Sequence, residues 1–284
     1  MAKMAPALKA LINAPHARPG PAPAPARIRD VYQRIAREAD ERQYGSVPWL
    51  AISAATTFTL NSADALAVLH QVAAAPPASH DPVWAAELIR EVGLKCISFN
   101  GIPRSINCLG VFRAALAPEL AARLERAPSR QVGPDALAAA HARGRRLWDS
   151  VYVPVAQKLV DRLAESHPDL PVHILESHYA GLLSNPDGSA RGRLAHVGRS
   201  LTSLVAIACL RSQTGVGPQV LSHVFGLRKA VEQGIHGDEF HEAIGKDASA
   251  ETKAIERLAT DEGSEWILQS VDSIAEAIRS TCKL

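Results

Sequence analysis

The positions of the prolines constrain the fold of this chain more than any other feature. Prolines 82, 103, 118, 134, 171 and 218 each open a segment in which alanine and leucine recur at helical spacing. Proline is tolerated at the first helical position, because the N–H it lacks would have no partner there, but it breaks the interior of a helix or strand. Gly101 and Gly234 stand where helices should end in a left-handed cap. Aromatic residues are only 5% of the chain, so the sequence predicts an all-α fold.

Predicted helices follow one another along almost the whole chain. They span residues 28–43, 48–59, 62–74, 82–100, 103–116, 118–126, 134–165, 171–183, 199–213, 218–233, 238–245 and 249–280. Some of the longer segments should break, and Pro154 is expected to kink or split the one that contains it.

The chain is expected to divide into a flexible N-terminal segment, two helical pseudo-repeats and a C-terminal tripeptide. Residues 15–26 hold five of the 19 prolines, which predicts a semi-rigid linker without helix or strand inside segment 1–27. Residues 1–14 could form a short amphipathic helix, so a mitochondrial presequence is an alternative interpretation of this segment. Residues 50–55 (LAISAA) read like residues 204–209 (LVAIAC), and a histidine follows each, His70 and His223. This similarity predicts pseudo-repeats over 28–130 and 131–281, unless alanine-rich helices merely resemble one another.

Composition excludes several classes of function. The net charge is only +2, with both signs interspersed, so no nucleic-acid partner is expected. The chain has no run of about 20 apolar residues, so no membrane span is predicted. Its four cysteines include no Cys-x-x-Cys pair, which argues against a zinc site and a disulfide framework. We therefore expect no metal and no cofactor, and a reducing compartment.

The last three residues resemble an organelle address. Cys282, Lys283 and Leu284 match the small–basic–leucine pattern of the Ser-Lys-Leu type of peroxisomal import signal. They predict the peroxisomal matrix and an import receptor as partner, which deletion of Lys283 and Leu284 would test. An ordinary frayed tail with a solvated lysine is the other interpretation.

The segment around Gly101 is predicted to be an αα-hairpin. An apolar stripe precedes the bend and faces the core; it comprises Trp84, Leu88, Val92, Cys96 and Phe99. Pro103 then starts the second arm. Cys96 and Cys108 would lie on opposing arms. They are either two small buried hydrophobic residues or a pair of reactive thiols. Arg104 is unusual because the first helical turn disfavours a cation. It should therefore have a carboxylate partner or bind an anionic ligand.

His223 is the strongest candidate for a catalytic residue. It lies between Val220 and Leu227 on the inward stripe of its predicted helix, with Gln219 one turn before it and Gly226 one turn after. An inward histidine needs a polar partner, and Gly226 leaves room for one to approach. The glycine-bearing loop that ends at Gly217 leaves the first N–H groups of the helix free for an anion or polar ligand. The alternative is a core histidine whose hydrogen bonds are already made.

These segments resemble the alkylhydroperoxidase D-like / carboxymuconolactone decarboxylase-like superfamily. Residues 199–208 (RSLTSLVAIA) and 218–224 (PQVLSHV) are similar to its helix, loop and helix with an inward histidine. Residues 99–107 (FNGIPRSIN) are similar to its Tyr-x-Gly-x-Pro-x-x-x-Asn turn. With the terminal tripeptide, the chain from about residue 27 looks like a fungal peroxisomal branch of this superfamily.

The resemblance implies an all-α fold, an oligomer of identical chains and a pocket beside the histidine helix. The superfamily's peroxidases use Cys-x-x-Cys-x-x-x-His and a glutamate one helix earlier. Only the histidine matches here, at His223, because the cysteine positions fall on Val216 and Gln219 and the glutamate position near Leu204. The peroxidase cycle therefore cannot run as in the family. Decarboxylase members do not need the cysteines.

Three hypotheses about function follow. In the first, a peroxisomal enzyme binds a small or acyl-type anionic substrate, with His223 as acid/base and Gln219, Asn100 and Arg104 orienting the ligand beside Gly217. The reaction would be a proton transfer or decarboxylation, and the peroxisomal address suggests lipid metabolism. In the second, the protein is a non-catalytic ligand-binding or assembly protein. In the third, it is a thiol oxidoreductase with Cys96 and Cys108 as its thiols.

Overall fold

Every regular element that the structure describes is helical. A computed structural model describes residues 4–131, 133–186, 195–238, 240 and 248–281 and shows no strand within these ranges. The α-helices are α1 (Pro6–Ile12), α2 (Ile28–Glu41), α3 (Ser46–Thr59), α4 (Ala63–Ala73), α5 (Pro82–Lys95), α6 (Ile97–Asn100), α7 (Ile102–Ala115), α8 (Pro118–Arg123), α9 (Leu137–Tyr152), α10 (Ala156–Ser166), α11 (Asp169–His173), α12 (Arg199–Gln213), α13 (Gly217–Glu232), α14 (Ala248–Leu258) and α15 (Asp261–Thr281). A π-helix spans Ile174–Leu183, and 3₁₀ turns span Pro15–Ala17 and Pro134–Ala136. The prediction of an all-α fold is confirmed.

Some predicted helices are divided. The segment 134–165 becomes a 3₁₀ turn, α9 and α10, with the break around Pro154, where proline cannot supply the helical N–H. The segment 249–280 is split because Thr260 starts a new helix: its Oγ1 accepts a hydrogen bond from the N–H of Gly263 at 3.1 Å. Most of the predicted helix 238–245, and the tripeptide of Cys282, Lys283 and Leu284, lie outside the described residues.

Two buried helices form the centre of the fold. Every residue of α3 from Val47 onward is buried, and so is nearly every residue of α12. A helix that is buried on all sides must be surrounded by other elements. α3 and α12 pack against each other; α2, α4 and α5 cover α3, and α13 covers α12, while α15 packs on both.

A smaller apolar cluster lies beside this core. It is built by α9 and the π-helix around Trp148, Tyr179 and Leu183. Gly144 permits the close approach of the two elements, because a Cβ at that position would lie 2.5 Å from the backbone of Ala180. α9 also packs against α13, so the cluster adjoins the helix that carries His223.

The last residues of the N-terminal segment pack against the core. No residue of α1 is buried. The N–H of Ala22 donates to the carbonyl of Asn61 at 2.9 Å, and Pro25 is buried. The proline tract contains the turn Pro15–Ala17, which was not predicted; proline's fixed φ suits its first position. No described helix has the length and apolarity needed to cross a membrane.

Candidate functional site

His223 lies where three elements meet. Its side chain is on the face of α13 that packs against α9, and the residue is only 6% exposed. The edge of the ring of Phe99, from α6, meets the imidazole with ring centroids 6.1 Å apart. Tyr152, the last residue of α9, meets it from a second direction at 6.2 Å. The imidazole is therefore buried in a largely aromatic environment.

Two tyrosines extend from the imidazole as a chain of polar atoms. The hydroxyl of Tyr179 donates to the hydroxyl oxygen of Tyr152 at 3.2 Å, and that oxygen lies 3.5 Å from Nε2 of His223. Because Tyr152 accepts from Tyr179, its own O–H is free to donate to Nε2. The imidazole hydrogen then belongs on Nδ1. This Nδ1 atom is buried, and none of the described residues is its hydrogen-bond partner.

Burial keeps all three groups neutral at pH 7. Desolvation, and secondarily the nearby Arg199 guanidinium, lowers the pKa of His223 to about 4. Burial also raises the pKa of Tyr152, and it raises the pKa of Tyr179 well above its ordinary value. The site thus presents a neutral imidazole N–H, backed by two phenols, in a region from which water is largely excluded.

Arg199 fixes the positions of α9, α12 and α13 around the site. Its Nε donates to Oγ of Ser150 at 2.8 Å, and its Nη1 donates to Oγ of Ser203 at 2.6 Å. Its Nη2 donates to the carbonyl oxygen of Gly226 at 2.7 Å. The space that the sequence suggested beside Gly226 is therefore occupied: a Cβ there would lie 3.1 Å from Cγ1 of Val151.

Asn100 lies at the hairpin bend but not against the imidazole. Its Oδ1 accepts a hydrogen bond from Nε2 of Gln213 at 3.1 Å, and its amide nitrogen lies 3.8 Å from Sγ of Cys209. Its neighbour Phe99 contacts the imidazole, and the carbonyl of Phe99 also accepts from Gln213.

Arg104 has a different role from the two that the sequence suggested. Its Nη1 donates to the carbonyl oxygen of Thr59 at 2.6 Å. Thr59 is the last residue of α3, so the guanidinium lies at the negative end of the α3 dipole. Among the described residues, no polar contact joins Arg104 to His223.

Gln219 and Gly217 lie on the exposed first turn of α13. The turn has no side-chain cap, and the N–H of Gln219 already donates to the carbonyl of Val216 at 3.1 Å. His70, the predicted counterpart of His223, behaves differently. Its Nε2 lies 2.8 Å from the carbonyl oxygen of Pro82, as expected for a core histidine whose hydrogen bond is made.

The structure brings Cys96 close to Cys209 rather than to Cys108. The Sγ atoms of Cys96 and Cys209 are 3.5 Å apart, whereas Sγ of Cys108 lies 3.8 Å from Oδ1 of Asn61. Burial, followed by the adjacent thiol, raises the pKa of Cys96 well above its usual range. Burial likewise raises the pKa of Cys108 to about 12. Both groups therefore remain thiols at pH 7, and a nucleophilic thiolate is disfavoured.

Sequence reasoning missed the residues that surround the imidazole: Tyr152, Tyr179 and Arg199. The chain has four tyrosines, and two of them meet at His223. The rarity of tyrosine was the sequence signal that could have drawn attention to Tyr152 and Tyr179. Arg199 was noted as the start of a helix, but nothing in its spacing shows that it bonds to α9 and α13. Among the described residues, no cluster of His, Cys, Asp or Glu could hold a metal ion.

A cavity of about 320 Å³ adjoins the site through Arg199. Arg143, Arg146, His196 and the backbone at Gly198 also line it, so its wall is strongly basic. Larger cavities lie elsewhere, including one of about 520 Å³ beside Trp49. The lining of these two cavities does not include His223. Comparisons of the chain with models of protein families, with curated proteins and with solved structures find no match.

Proposed function

We propose that this protein binds a small or acyl-type anionic carbonyl compound and acts on it with His223 as acid/base. One observation carries the proposal: Nδ1 of His223 is buried with no hydrogen-bond partner in the part of the chain that the structure describes, while Nε2 faces Tyr152. Buried polar atoms in folded proteins nearly always have partners, so an orphaned one calls for an explanation. A ligand oxygen on Nδ1 is the explanation that we propose.

The neutral imidazole suits reactions in which negative charge develops on a carbonyl oxygen. When a 3-oxo acid loses CO₂, the electron pair of the broken C–C bond moves onto the ketone oxygen as an enolate. Nδ1–H of His223 would donate to that oxygen, and Tyr152 would supply a proton toward Nε2. The enolate carbon that lost CO₂ then takes up a proton. In total, the 3-oxo carboxylate and one proton give the methyl ketone and CO₂.

Arginine side chains favour an anionic substrate. Arg143, Arg146 and Arg199 line one cavity, and guanidinium groups recognise carboxylates through paired hydrogen bonds. In our proposal this cavity receives the carboxylate, and Arg199 lies between it and the imidazole. Arg104, which bonds to α3, takes no part.

A second function is favoured by the packing of the imidazole. Phe99 and Tyr152 cover the ring, and His223 lines none of the cavities described above. A non-catalytic ligand-binding or assembly protein with the same fold would show the same contacts. A thiol oxidoreductase with Cys96 and Cys108 is not favoured, because Cys96 is paired with Cys209.

The test uses 3-oxohexanoate as substrate and hexanoate as an unreactive probe. We expect hexanoate to bind by calorimetry and 3-oxohexanoate to release CO₂ and 2-pentanone. His223→Gln should reduce turnover by about 10- to 100-fold, the value of one or two strong hydrogen bonds. Tyr152→Phe should lower kcat more than it raises KM, since Tyr152 acts through the imidazole.

His16→Gln is the matched control, because His16 is exposed and outside the site. It should leave binding and turnover unchanged. Binding of hexanoate without turnover would support a ligand-binding protein. Absence of both, or equal activity of His223→Gln with an unchanged helical spectrum, would contradict the proposal.

We also propose a superfamily and a cellular compartment for this protein. The resemblance of residues 99–107 and 199–224 supports an alkylhydroperoxidase D-like protein that lacks the redox cysteine pair. The tripeptide that ends in Leu284 supports import into the peroxisome. An oligomer of identical chains stays a prediction from the resemblance.

A further inference from the structure

Two thiols on different parts of the fold lie in contact at the centre of the molecule. Cys96 follows α5, and Cys209 lies on α12; their Sγ atoms are 3.5 Å apart although 113 positions separate them in sequence. Neither residue has any solvent exposure. Buried cysteines are common, but two sulfur atoms in contact need little further movement to bond.

The geometry is compatible with a covalent bond. A disulfide requires sulfur atoms 2.03–2.05 Å apart, so the two must approach by roughly 1.5 Å. α12 packs directly against both α5 and α6, so side-chain rotation can supply much of that distance without separating helices. Cys108, whose sulfur contacts Asn61, has no such partner at hydrogen-bond distance among the described cysteines.

We infer that Cys96 and Cys209 are a site of oxidative modification, at which a small uncharged peroxide converts the two thiols into a disulfide. This inference does not depend on the acid/base function of His223. It uses neither the thiol spacing of the superfamily nor the pair of Cys96 and Cys108.

The reaction balances with hydrogen peroxide as the oxidant. The sulfur of Cys209 attacks a peroxide oxygen while its thiol proton passes to the departing hydroxide; the O–O bond breaks, and a sulfenic acid and water form. The second cysteine's sulfur then attacks the sulfenic sulfur, the S–S bond forms, and a second water leaves. Two thiols and one peroxide give one disulfide and two waters, and the sulfurs lose the two electrons that the peroxide gains.

Burial determines which oxidants can act. Neither cysteine is exposed to solvent, so an oxidant must enter through small fluctuations of the packing. Hydrogen peroxide, with only two heavy atoms, can do so, whereas bulky disulfides such as oxidised glutathione cannot. The product would join the hairpin to α12 and close a loop of more than 100 residues. A loop of that length restricts the unfolded chain strongly, so the oxidised protein should resist unfolding.

The test oxidises the native full-length chain with hydrogen peroxide, alkylates the remaining thiols in denaturant and digests the product with trypsin. Cleavage after Lys95, Arg104, Arg199 and Arg211 separates the cysteines onto distinct peptides. We expect peptide 96–104 linked to peptide 200–211, with Cys108 and Cys282 alkylated. The oxidised chain should unfold at a higher guanidinium concentration, and dithiothreitol should reverse that shift.

Cys108→Ser is the matched control, because it removes a buried thiol outside the pair. It should retain the linked peptides and the shift, whereas Cys209→Ser should lose both. If Cys209→Ser does not fold, peptide mapping of the unaltered chain decides. A link from Cys96 to Cys108, unlinked over-oxidised thiols, or a link that forms only in denaturant would each overturn the inference.

Discussion

Two buried side chains, those of Lys95 and His223, differ in the hydrogen-bond partners that the fold supplies. Lys95 is fully buried, and its Nζ donates to the carbonyl oxygens of Leu183 and Val197 and to Oδ1 of Asn185. Among the described residues, Nδ1 of His223 has no acceptor, and desolvation lowers the pKa of the imidazole to about 4, which favours its neutral form.

The neutral state of His223 makes stability depend on pH. Its pKa is about 4 in the folded protein and about 6.5 in an unfolded chain. The unfolded chain therefore takes up the proton first as the pH falls, so stability is retained above pH 6.5 and lost between pH 6.5 and 4. We expect a loss of about 3 kcal/mol in the free energy of unfolding by pH 4 from this group.

Urea denaturation at several pH values checks this. His223→Gln should flatten the dependence between pH 6.5 and 4, and His16→Gln should retain it. If the free energy of unfolding depends on pH equally in His223→Gln and in the parent protein, folding does not lower the pKa of His223.

Gly144 permits the close contact between α9 and the π-helix. Gly144 on α9 lies against the backbone of Ala180 in the π-helix, and any Cβ there would overlap it at 2.5 Å. The two elements carry Tyr152 and Tyr179, which reach toward His223. The distance between α9 and the π-helix therefore sets the geometry of the polar chain.

Gly144→Ala should force these two elements apart. Backbone atoms cannot move aside as a flexible side chain can, so we expect a loss of roughly 1–3 kcal/mol in the free energy of unfolding. Gly110→Ala is the control: Gly110 is also inside a helix, but a Cβ there would have no neighbour within 4 Å. It should gain about 0.5–1 kcal/mol through helix propensity. Chemical denaturation measures both, and stabilisation by Gly144→Ala would contradict the packing.

The whole molecule is organised around α3 and α12, and the N-terminal segment joins it only at its end. α1 contributes no buried residue, whereas Ala22 and Ala24 pack against the core and Pro25 is buried. The folded unit therefore includes the residues just before α2, although the sequence predicted that it starts near residue 27.

Two truncations should separate these parts. Deletion of residues 1–14 should change the free energy of unfolding by no more than about 0.5 kcal/mol, because none of the described residues 4–14 is buried. Deletion of residues 1–27 also removes the hydrogen bond from Ala22 to Asn61 and should cost roughly 1–3 kcal/mol. Equal stability of the two truncated chains, measured by denaturation, would contradict a packed residue 22–27 segment.

The sequence alone determined the helical class, most helix starts and the burial of His223. These depend on local rules: proline at first positions, glycine at ends, and apolar residues at helical spacing. Breaks in the longer segments were expected, but the position of the one before α15, where Thr260 caps the new helix, was not predicted. The pseudo-repeats, the peroxisomal address and the superfamily stay predictions.

Only the tertiary structure decided which side chains meet. Tyr152 and Tyr179 are 71 and 44 positions before His223, and Cys209 is 113 positions after Cys96. No periodicity within one helix specifies which face of a distant helix it will meet. Arg104 bonds to α3 and Arg199 orders the site because helix packing, and not sequence spacing, sets the distances over which hydrogen bonds and charges act.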